Sequence, residues 1–332
     1  MLKLARRPDV LTILPMTEAD AYVLCKWRSL FESYVRPLWS TSETFELVRD
    51  RVKLLSIAEA AGVPIPRTRL LSDWNDWSAP CVIKSRYSTL EKGNGLFYPN
   101  PRIIDTRTKP NYDEVTASMA HEPIVQEYVE GEEYGFFALF NEGRLKAKMQ
   151  HQRLMSITYM GGPSVMRVSI YNKELDELGL KLLNALKWHG PAMVEFKFDN
   201  KEKKFKLMEI NPRFWGSINL AICAGVDFPY LYYTMARDGD CESVLEYKTN
   251  VLTHYNLGIL QHMLSIVQGR FPQYVPRPSL LKQARFLVTT LRHSTPDVTD
   301  WRDLPMSFAD LYTLAANARG KKKSPRKMEK QA

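Results

Sequence analysis

Hydrophobic positions along this chain follow first a helical period, then alternation, then a helical period again. Val10 to Pro15 (VLTILP) is a short apolar run that reads as a strand, and Glu18 to Phe31 reads as a helix. From Ser42 to Ala61 the positions Val48, Val52, Leu55 and Ala58 fall at helical spacing, with Gly62 just past the end and Pro64 beyond, which predicts one helix. VPIP then opens an extended segment. Alternation predicts strands at 79–84 (APCVIK) and 122–129 (EPIVQEYV), and a hairpin in EYGFFALFNEGRLKAKMQHQRL turned at Asn141 to Gly143. Lys173 to Trp188 is an amphipathic helix on Leu175, Leu178, Leu182 and Leu186, ending before Gly190. A second hairpin follows, VEFKFD joined to FKLMEINPR across NKEKK. Gly216 to Ala224 and Pro229 to Ala236 read as two short helices, with Gly225 as a C-terminal cap and Asp227 as an N-cap. From about Val251 to Asn317 the pattern is mostly helical, broken by FPQYVPRPS.

The second hairpin carries the most informative chemistry. By alternation Val194, Phe196 and Phe198 point one way and Glu195 the other, while Glu209 and Asn211 share a face with Leu207. A symmetric turn places Asp199 opposite Phe205 and Glu195 opposite Glu209, two carboxylates roughly 5 Å apart. At an effective dielectric of 20 such a pair repels by about 3 kcal/mol. The arrangement makes most sense around a hard cation, and Mg²⁺ accepts carboxylates together with a neutral oxygen such as that of Asn211. A magnesium-bearing nucleotide site is therefore expected. An isolated Glu-x-Asn also fits a solvated hairpin face, so further features must decide.

With 332 residues, 45% hydrophobic and 11% aromatic, the chain can bury a large core in two or three lobes. No apolar run approaches the length of a membrane span, and the N-terminal apolar segment is too short for a secretory signal, so a soluble cytoplasmic protein is expected. Cys25, Cys81, Cys223 and Cys241 are dispersed without zinc or disulfide spacing and read as free thiols. The net charge of +9 suggests nucleic acid, but Arg319 to Ala332 holds seven Lys or Arg against Glu329, leaving +3 on the remainder. That surplus belongs to a tail expected to be disordered, and a solubilising role fits it better than nucleic-acid binding.

Lys84 ends the strand CVIK and opens a polar loop, SRYSTLEKGNG, whose hydroxyls, amides and Lys92 suit phosphates. Gly93 and Gly95 are present but GxxxxGK[ST] is not, so a Walker-type loop is unsupported; a strand-end lysine also reads as simply solvated. In QEYVEGEE, Gln126 to Glu133, a strand enters a tight turn at Gly131 and leaves into another strand, as at a hinge between lobes. Adenine fits the main chain at Glu127 and Val129, with Glu133 on the ribose. An ordinary acidic turn fits equally.

In this order, Lys84, QEYVEGEE, Glu195 and EINPR (Glu209 to Arg213) followed by FWGSINLAICAGVDFPYL resemble the ATP-grasp superfamily over roughly Asp50 to Asn317. Within it the chain looks most like the carboxylate-amine ligases related to the carbamoyl-phosphate synthase large subunit. DRVKLLSIAEAAGVPIPRT is similar to the helix leading into that domain.

The resemblance implies an α+β ATP-grasp fold, two lobes gripping ATP, over residues 50–240. A remnant of an α/β domain (1–49) with its earlier strands missing, a mainly helical region (241–318) and the basic tail (319–332) complete the expected organisation. It implies Lys84 on the phosphates, Gln126 to Val129 around adenine, Glu133 on ribose, and Glu195, Glu209 and Asn211 on Mg²⁺, with Mn²⁺ as an alternative ion. Arg51 stands where relatives carry a nucleotide-binding lysine, with Lys53 on another helix face. Arg213 is placed for an acyl phosphate, and Arg153 resembles a basic position near the reacting group in biotin carboxylase-like relatives. His151 accompanies Arg153, or is a strand histidine held in the fold. GGPSVMRVS resembles a substrate-closing segment, making Arg167 a carboxylate clamp or else a surface charge in a loop.

The expected activity is activation of a small-molecule carboxylate by MgATP as an acyl phosphate and its capture by an amine or thiol, releasing ADP and phosphate. Phosphoryl transfer of this kind needs positioning and charge neutralisation more than an enzyme nucleophile. The alternative is a non-catalytic ATP- and magnesium-binding subunit or regulator. A homodimer is compatible with either.

Overall fold

The computed structural model describes residues 1–93, 95–99, 101–104, 111–119, 121–158, 161–269 and 278–297. The basic tail lies outside them, as does most of the stretch after Pro296 assigned to the helical region. The chain begins with α1 (Leu2–Ala5), α2 (Glu18–Lys26), α3 (Arg28–Glu32), α4 (Ser42–Arg49) and α5 (Arg51–Ala60). A first block of strands follows: β1 (Thr68–Leu70), β2 (Cys81–Lys84), β3 (Leu90–Lys92), β4 (Gly95–Phe97) and β5 (Arg102–Ile104), then α6 (Tyr112–Met119) and β6 (Ile124–Glu127). The second block holds β7 (Glu133–Asn141), β8 (Arg144–Thr158), β9 (Gly161–Ile170), α7 (Lys173–Ala185), β10 (Gly190–Asp199) and β11 (Lys204–Asn211). It closes with α8 (Ile218–Ala224), α9 (Phe228–Asp238), β12 (Leu252–His254), α10 (Asn256–Val267), α11 (Leu280–Leu291) and β13 (Ser294–Pro296).

Two sheets organise these elements into an α+β architecture. A small sheet, in the order β1-β6-β2-β5, packs on α6 through Cys81, Ile83, Val115, Met119 and Val125. A larger sheet runs β11-β10-β7-β8-β9-β12-β13. One of its faces buries Phe136, Val194, Phe196 and Leu207 under α5 and α7; the other meets α8 and α9 through Phe137, Met149, Phe214 and Trp215. The five-residue linker 128–132 joins the two sheets where the sequence places a hinge.

Five expectations are corrected. VLTILP is no strand: its carbonyls go to scattered partners, Leu11 O to the Arg36 N–H, Ile13 O to the Tyr232 hydroxyl and Pro15 O to the Phe214 N–H, so no ladder forms. The helix expected over Glu18 to Phe31 is interrupted at Trp27. The helix over Ser42 to Ala61 is two helices, because Asp50 adopts φ −82°, ψ 102°, caps Val52 N–H and takes a two-pronged bond from Arg86. That break places Arg51 in the first turn of α5, against the loop after β2.

The fourth correction concerns the hairpin turn. Asp199 faces Lys204, not Phe205, and Glu195 still faces Glu209 because a β-bulge at Met208 restores the register. The bulge also puts Leu207 on the buried face opposite Glu209 and Asn211. Finally, the region after Val251 opens with a strand, β12, that pairs with β9 and adds to the large sheet.

The N-terminal segment is locked to the large sheet at Gly190, the first residue of β10. Its φ is +89°, and a Cβ there would lie 2.4 Å from Leu38 O and 2.9 Å from Trp39 Cα. Gly190→Ala is expected to cost about 2 kcal/mol or more, measured as a lower denaturant midpoint at unchanged slope.

Candidate active site

Strand register across the large sheet assembles the site. Glu209, Glu195, Gly135, His151 and Ser169 stand opposite one another from β11 to β9. The neighbouring row, two residues along each strand, is Lys197, Glu133, Arg153, Arg167 and Thr253. Positions two apart share a face, so one surface of the sheet carries both rows. Gly135 keeps this surface open, since a Cβ there would meet His151 Nε2 at 2.9 Å.

The small sheet supplies the opposite wall, with Lys84 from β2 and Gln126 from β6. Between the walls lies a cavity of ≈ 930 Å³ lined by Arg51, Lys84, Gln126, Glu127, Val129, Glu133, His151, Arg153, Arg167, Glu195, Glu209 and Arg213. These are all the site residues that the resemblance implies except Asn211, which is buried behind the lining; the Lys92 side chain lies outside the described residues.

Charges in the cavity pair across elements. The Lys84 ammonium donates to Gln126 Oε1 at 2.7 Å, and burial with Arg51 nearby pushes its pKa down to about 8. Arg51 donates to Ser85 O at 2.8 Å and approaches Glu209 to 3.7 Å. Arg153 lies 2.6 Å from Glu133 and 3.4 Å from Glu195, and Lys197 lies 3.8 Å from Glu133 while donating to Val129 O at 3.2 Å. Among the described residues the Val129 N–H has no acceptor, whereas the Glu127 N–H donates to Arg67 O. The Glu127 carboxylate turns away from the cavity to Lys206 at 2.6 Å.

The two facing carboxylates differ in environment. Burial, opposed by Arg153 and reinforced by Glu209, pushes Glu195 up to about 7. Burial also acts to raise Glu209, but Arg51 and Lys84 outweigh it and hold that group below its ordinary value. The folded state therefore binds the Glu195 proton more tightly than the unfolded chain does. Its contribution to the metal-free protein is full below the ordinary value of 4.5 and is lost as pH rises through about 7. Stability measured in a chelator is expected to fall across that window, and Glu195→Gln to flatten the fall.

The donor set suits a hard cation: two carboxylates and one amide, converging from β10 and β11. Asn211 now directs Nδ2 to Glu195 Oε1 at 3.1 Å, and its Oδ1 accepts from Arg213 at 3.1 Å. Turning that amide over would present its oxygen to the carboxylates' side. Among the described residues the acidic cluster Glu127, Asp199 and Glu202 is instead filled by the Lys206 ammonium, which lies 2.6–2.8 Å from all three.

Arg167 departs from its sequence reading as a loop arginine. It lies on β9, is 1% exposed, pairs with Asp297 and donates to Ser164 O at 3.1 Å. Burial and Arg153 pull its pKa down to about 10. His151 is equally buried, edge-on to Phe137 at 4.6 Å; burial, then Arg153 and Arg167, hold its pKa well below the ordinary range, so the ring is neutral. Among the described residues, His151 Nδ1, Arg153 Nε and Arg167 Nε have no hydrogen-bond partner. Buried polar atoms left open in this way mark a site for a polar ligand.

Three groups at the site escaped the sequence reading. Lys197 sits two residues from Glu195 on the same strand face, a signal that alternation contained. Asp297 comes from the far end of the chain and nothing local points to it. Glu18, on α2, contacts Arg213 Nε at 3.4 Å and accepts from Ser88 at 3.3 Å, with its pKa raised chiefly by burial. It brings the N-terminal segment to the rim between the loop after β2 and Arg213.

Comparison with known proteins bears on the fold. Residues 120–257 match the family model described as ATP-grasp in the biosynthetic pathway with Ter operon. No curated protein matches the chain. Among solved structures, the β-γ-ATP complex of biotin carboxylase from Campylobacter jejuni superposes with a TM-score of 0.57 at 15% identity, over 75% of this chain and 59% of that one. The biotin carboxylase domain of 2-oxoglutarate carboxylase from Hydrogenobacter thermophilus, a complex with MgADP, ADP and bicarbonate, gives 0.58 at 17% identity over 76% and 59%. Pyruvate carboxylase from Rhizobium etli gives 0.51 at 16% identity over 65% and 20%. The chain thus spans 59% of the length of the first two structures. The family match lies over strands that build the cavity wall, and the superpositions show that the chain has the ATP-grasp fold.

Proposed function

We propose that the chain is an ATP-dependent ligase that activates a carboxylate as an acyl phosphate and passes the acyl group to an amine. The observation that carries this reading is the convergence of Glu195 and Glu209 with Lys84, Arg51, Arg153 and Arg213 in one cavity between two sheets. The open Val129 N–H supports an adenine contact at the linker, and Glu133 lies within the same wall for the ribose. Lys84 and Arg51 carry the positive charge nearest Glu209 and would face the phosphates from β2 and from the first turn of α5. Magnesium held by Glu195, Glu209 and Asn211 would supply neutralisation of phosphate charge when bound.

In the proposed reaction a substrate carboxylate oxygen bonds to the terminal phosphorus of ATP and the bond to ADP breaks. An amine nitrogen then bonds to the acyl carbon, phosphate leaves with the bonding pair, and the amine loses a proton. In this reading Arg213 would hold the acyl phosphate, and the open guanidinium nitrogens of Arg153 and Arg167 would orient the carboxylate. Hydroxylamine tests this directly, because it captures acyl phosphates as hydroxamates. Incubation with ATP, Mg²⁺ and a panel of carboxylates is expected to yield hydroxamate and ADP in equal amounts with at least one acid. Release of ADP with no hydroxamate from any acid would contradict the reading.

A second reading, a non-catalytic MgATP-binding subunit, draws on one observation. Arg213 is already engaged, with Nε near Glu18, Nη1 donating to Phe214 O at 2.9 Å and Nη2 to Asn211. That reading expects nucleotide binding with no stimulation of ADP release by any carboxylate.

A further inference from the structure

The site does not use α10 and α11, and these helices carry an unusual combination of features. Both turn inward onto one core cluster, α10 through Ile259 and Met263 and α11 through Phe286, Leu287 and Leu291. Their outward sides stay apolar. Val267 is 66% exposed, Leu281 80% and Val288 58%, with Leu260 and Leu264 also exposed. Leu260, Leu264 and Val267 follow i, i+4, i+7 spacing, and Leu281 and Val288 follow i, i+7, so each helix presents a stripe.

Charge around these stripes has one sign. From Tyr247 to Pro296 the sequence holds Lys248, Arg270, Arg277, Lys282, Arg285 and Arg292 and no Asp or Glu at all. On α11 and its C-terminal cap Lys282, Arg285 and Arg292 are exposed beside Leu281 and Val288. The net charge of the chain hides this block, because the remaining body is acidic and offsets it.

We infer that the outward face of α10 and α11 docks on a phospholipid surface bearing acidic headgroups. Exposed aliphatic side chains flanked by cations, on helices lying flat against a protein core, are what an interfacial helix needs to bury its apolar stripe at the headgroup boundary. Lysine and arginine stems can lie along that boundary with their charged ends in the phosphate layer. The alternative partner for a basic amphipathic helix is an acidic protein groove that encloses it. Here the inner side of α11 is occupied by the protein's own core, so only one side is presented and a planar partner fits better. No helix among the described residues is long and apolar enough to cross a membrane, and docking of this kind requires none. Tyr255, which lines the cavity, immediately precedes α10, so the docking face starts at the rim of the site.

Vesicle flotation of the full chain tests the inference. The protein is expected to float with vesicles of phosphatidylcholine mixed with phosphatidylglycerol, less so as salt rises, and to stay behind with phosphatidylcholine alone. Leu281→Glu with Val288→Glu should abolish flotation. Replacing Lys282, Arg285 and Arg292 by glutamine should lower the partition coefficient about five-fold for each cation removed. Thermal melting identifies a variant that fails to fold, and both substitution sets sit at exposed positions, so each checks the other. Wild type that does not float with either vesicle overturns the inference, as does flotation that both variants retain. A wild-type dimer that the leucine and valine substitutions dissociate, without vesicle binding, also overturns it and assigns the face to a second copy. Retention on duplex DNA in place of vesicles does the same for nucleic acid.

Discussion

Changing Arg213 to alanine is expected to lower turnover by roughly 100- to 1,000-fold while leaving the Kd for MgATP within about threefold. The side chain stands two residues past the end of β11, where Nη2 donates to Asn211 and Nε lies near Glu18. In the proposed reaction its charge serves the transferred phosphoryl group, and loss of an interaction made in the transition state appears in kcat. The measurement is steady-state ADP formation with the acid found by hydroxamate capture, alongside nucleotide titration of the same variant. A variant with full turnover would remove Arg213 from the reacting centre.

Changing Glu209 to alanine is expected to weaken magnesium-dependent nucleotide binding by about 100-fold or more, beyond the 10- to 100-fold that changes of mere supporting groups produce. Glu209 faces Glu195 across the hairpin, and two partly buried carboxylates repel at that spacing, which a cation between them would relieve. Its removal takes away one side of the proposed cation site and leaves Arg51 and Lys84 without their nearest acidic neighbour. Binding of ATP in chelator should change much less. Glu209→Gln keeps the shape of the side chain and should lose the magnesium response in the same way, which separates charge from packing.

How the candidate site emerged from sequence depends on which interactions are local. Lys84, Gln126, Glu133, Glu195 and Glu209 all stand on strands whose alternation is visible, so their convergence on one cavity follows from face assignment once the sheets form. The facing of Glu195 and Glu209 was anticipated through a symmetric turn, yet it arises by compensation, since the shift at Asp199 is undone by the bulge at Met208. A bulge leaves no mark in hydrophobic spacing. The helix break at Asp50 was hidden for a related reason: the apolar period continues through it, and only the distant Arg86 reveals why the backbone turns there. Glu18 and Asp297 could not be placed, because both reach their partners, Arg213 and Arg167, from segments more than a hundred residues away in sequence.

Attributing the basic surplus to the terminal tail was arithmetically sound and still concealed the acid-free block at 247–296. Net charge over a long body averages opposite regions, whereas docking depends on where the charges stand. The strand expected in VLTILP illustrates the same limit for backbone: an apolar extended segment becomes a strand only if a neighbour offers a ladder, and here its carbonyls are taken singly by Arg36, Phe214 and Tyr232.

The central claim is that the cavity between the two sheets holds ATP through a magnesium site on Glu195, Glu209 and Asn211. Calorimetric titration of ATP into the folded protein, with Mg²⁺ and then in chelator, tests it most directly. One site whose affinity rises sharply with Mg²⁺ is the predicted result. A folded protein that binds no ATP, or binds it equally with and without the ion, would contradict the account.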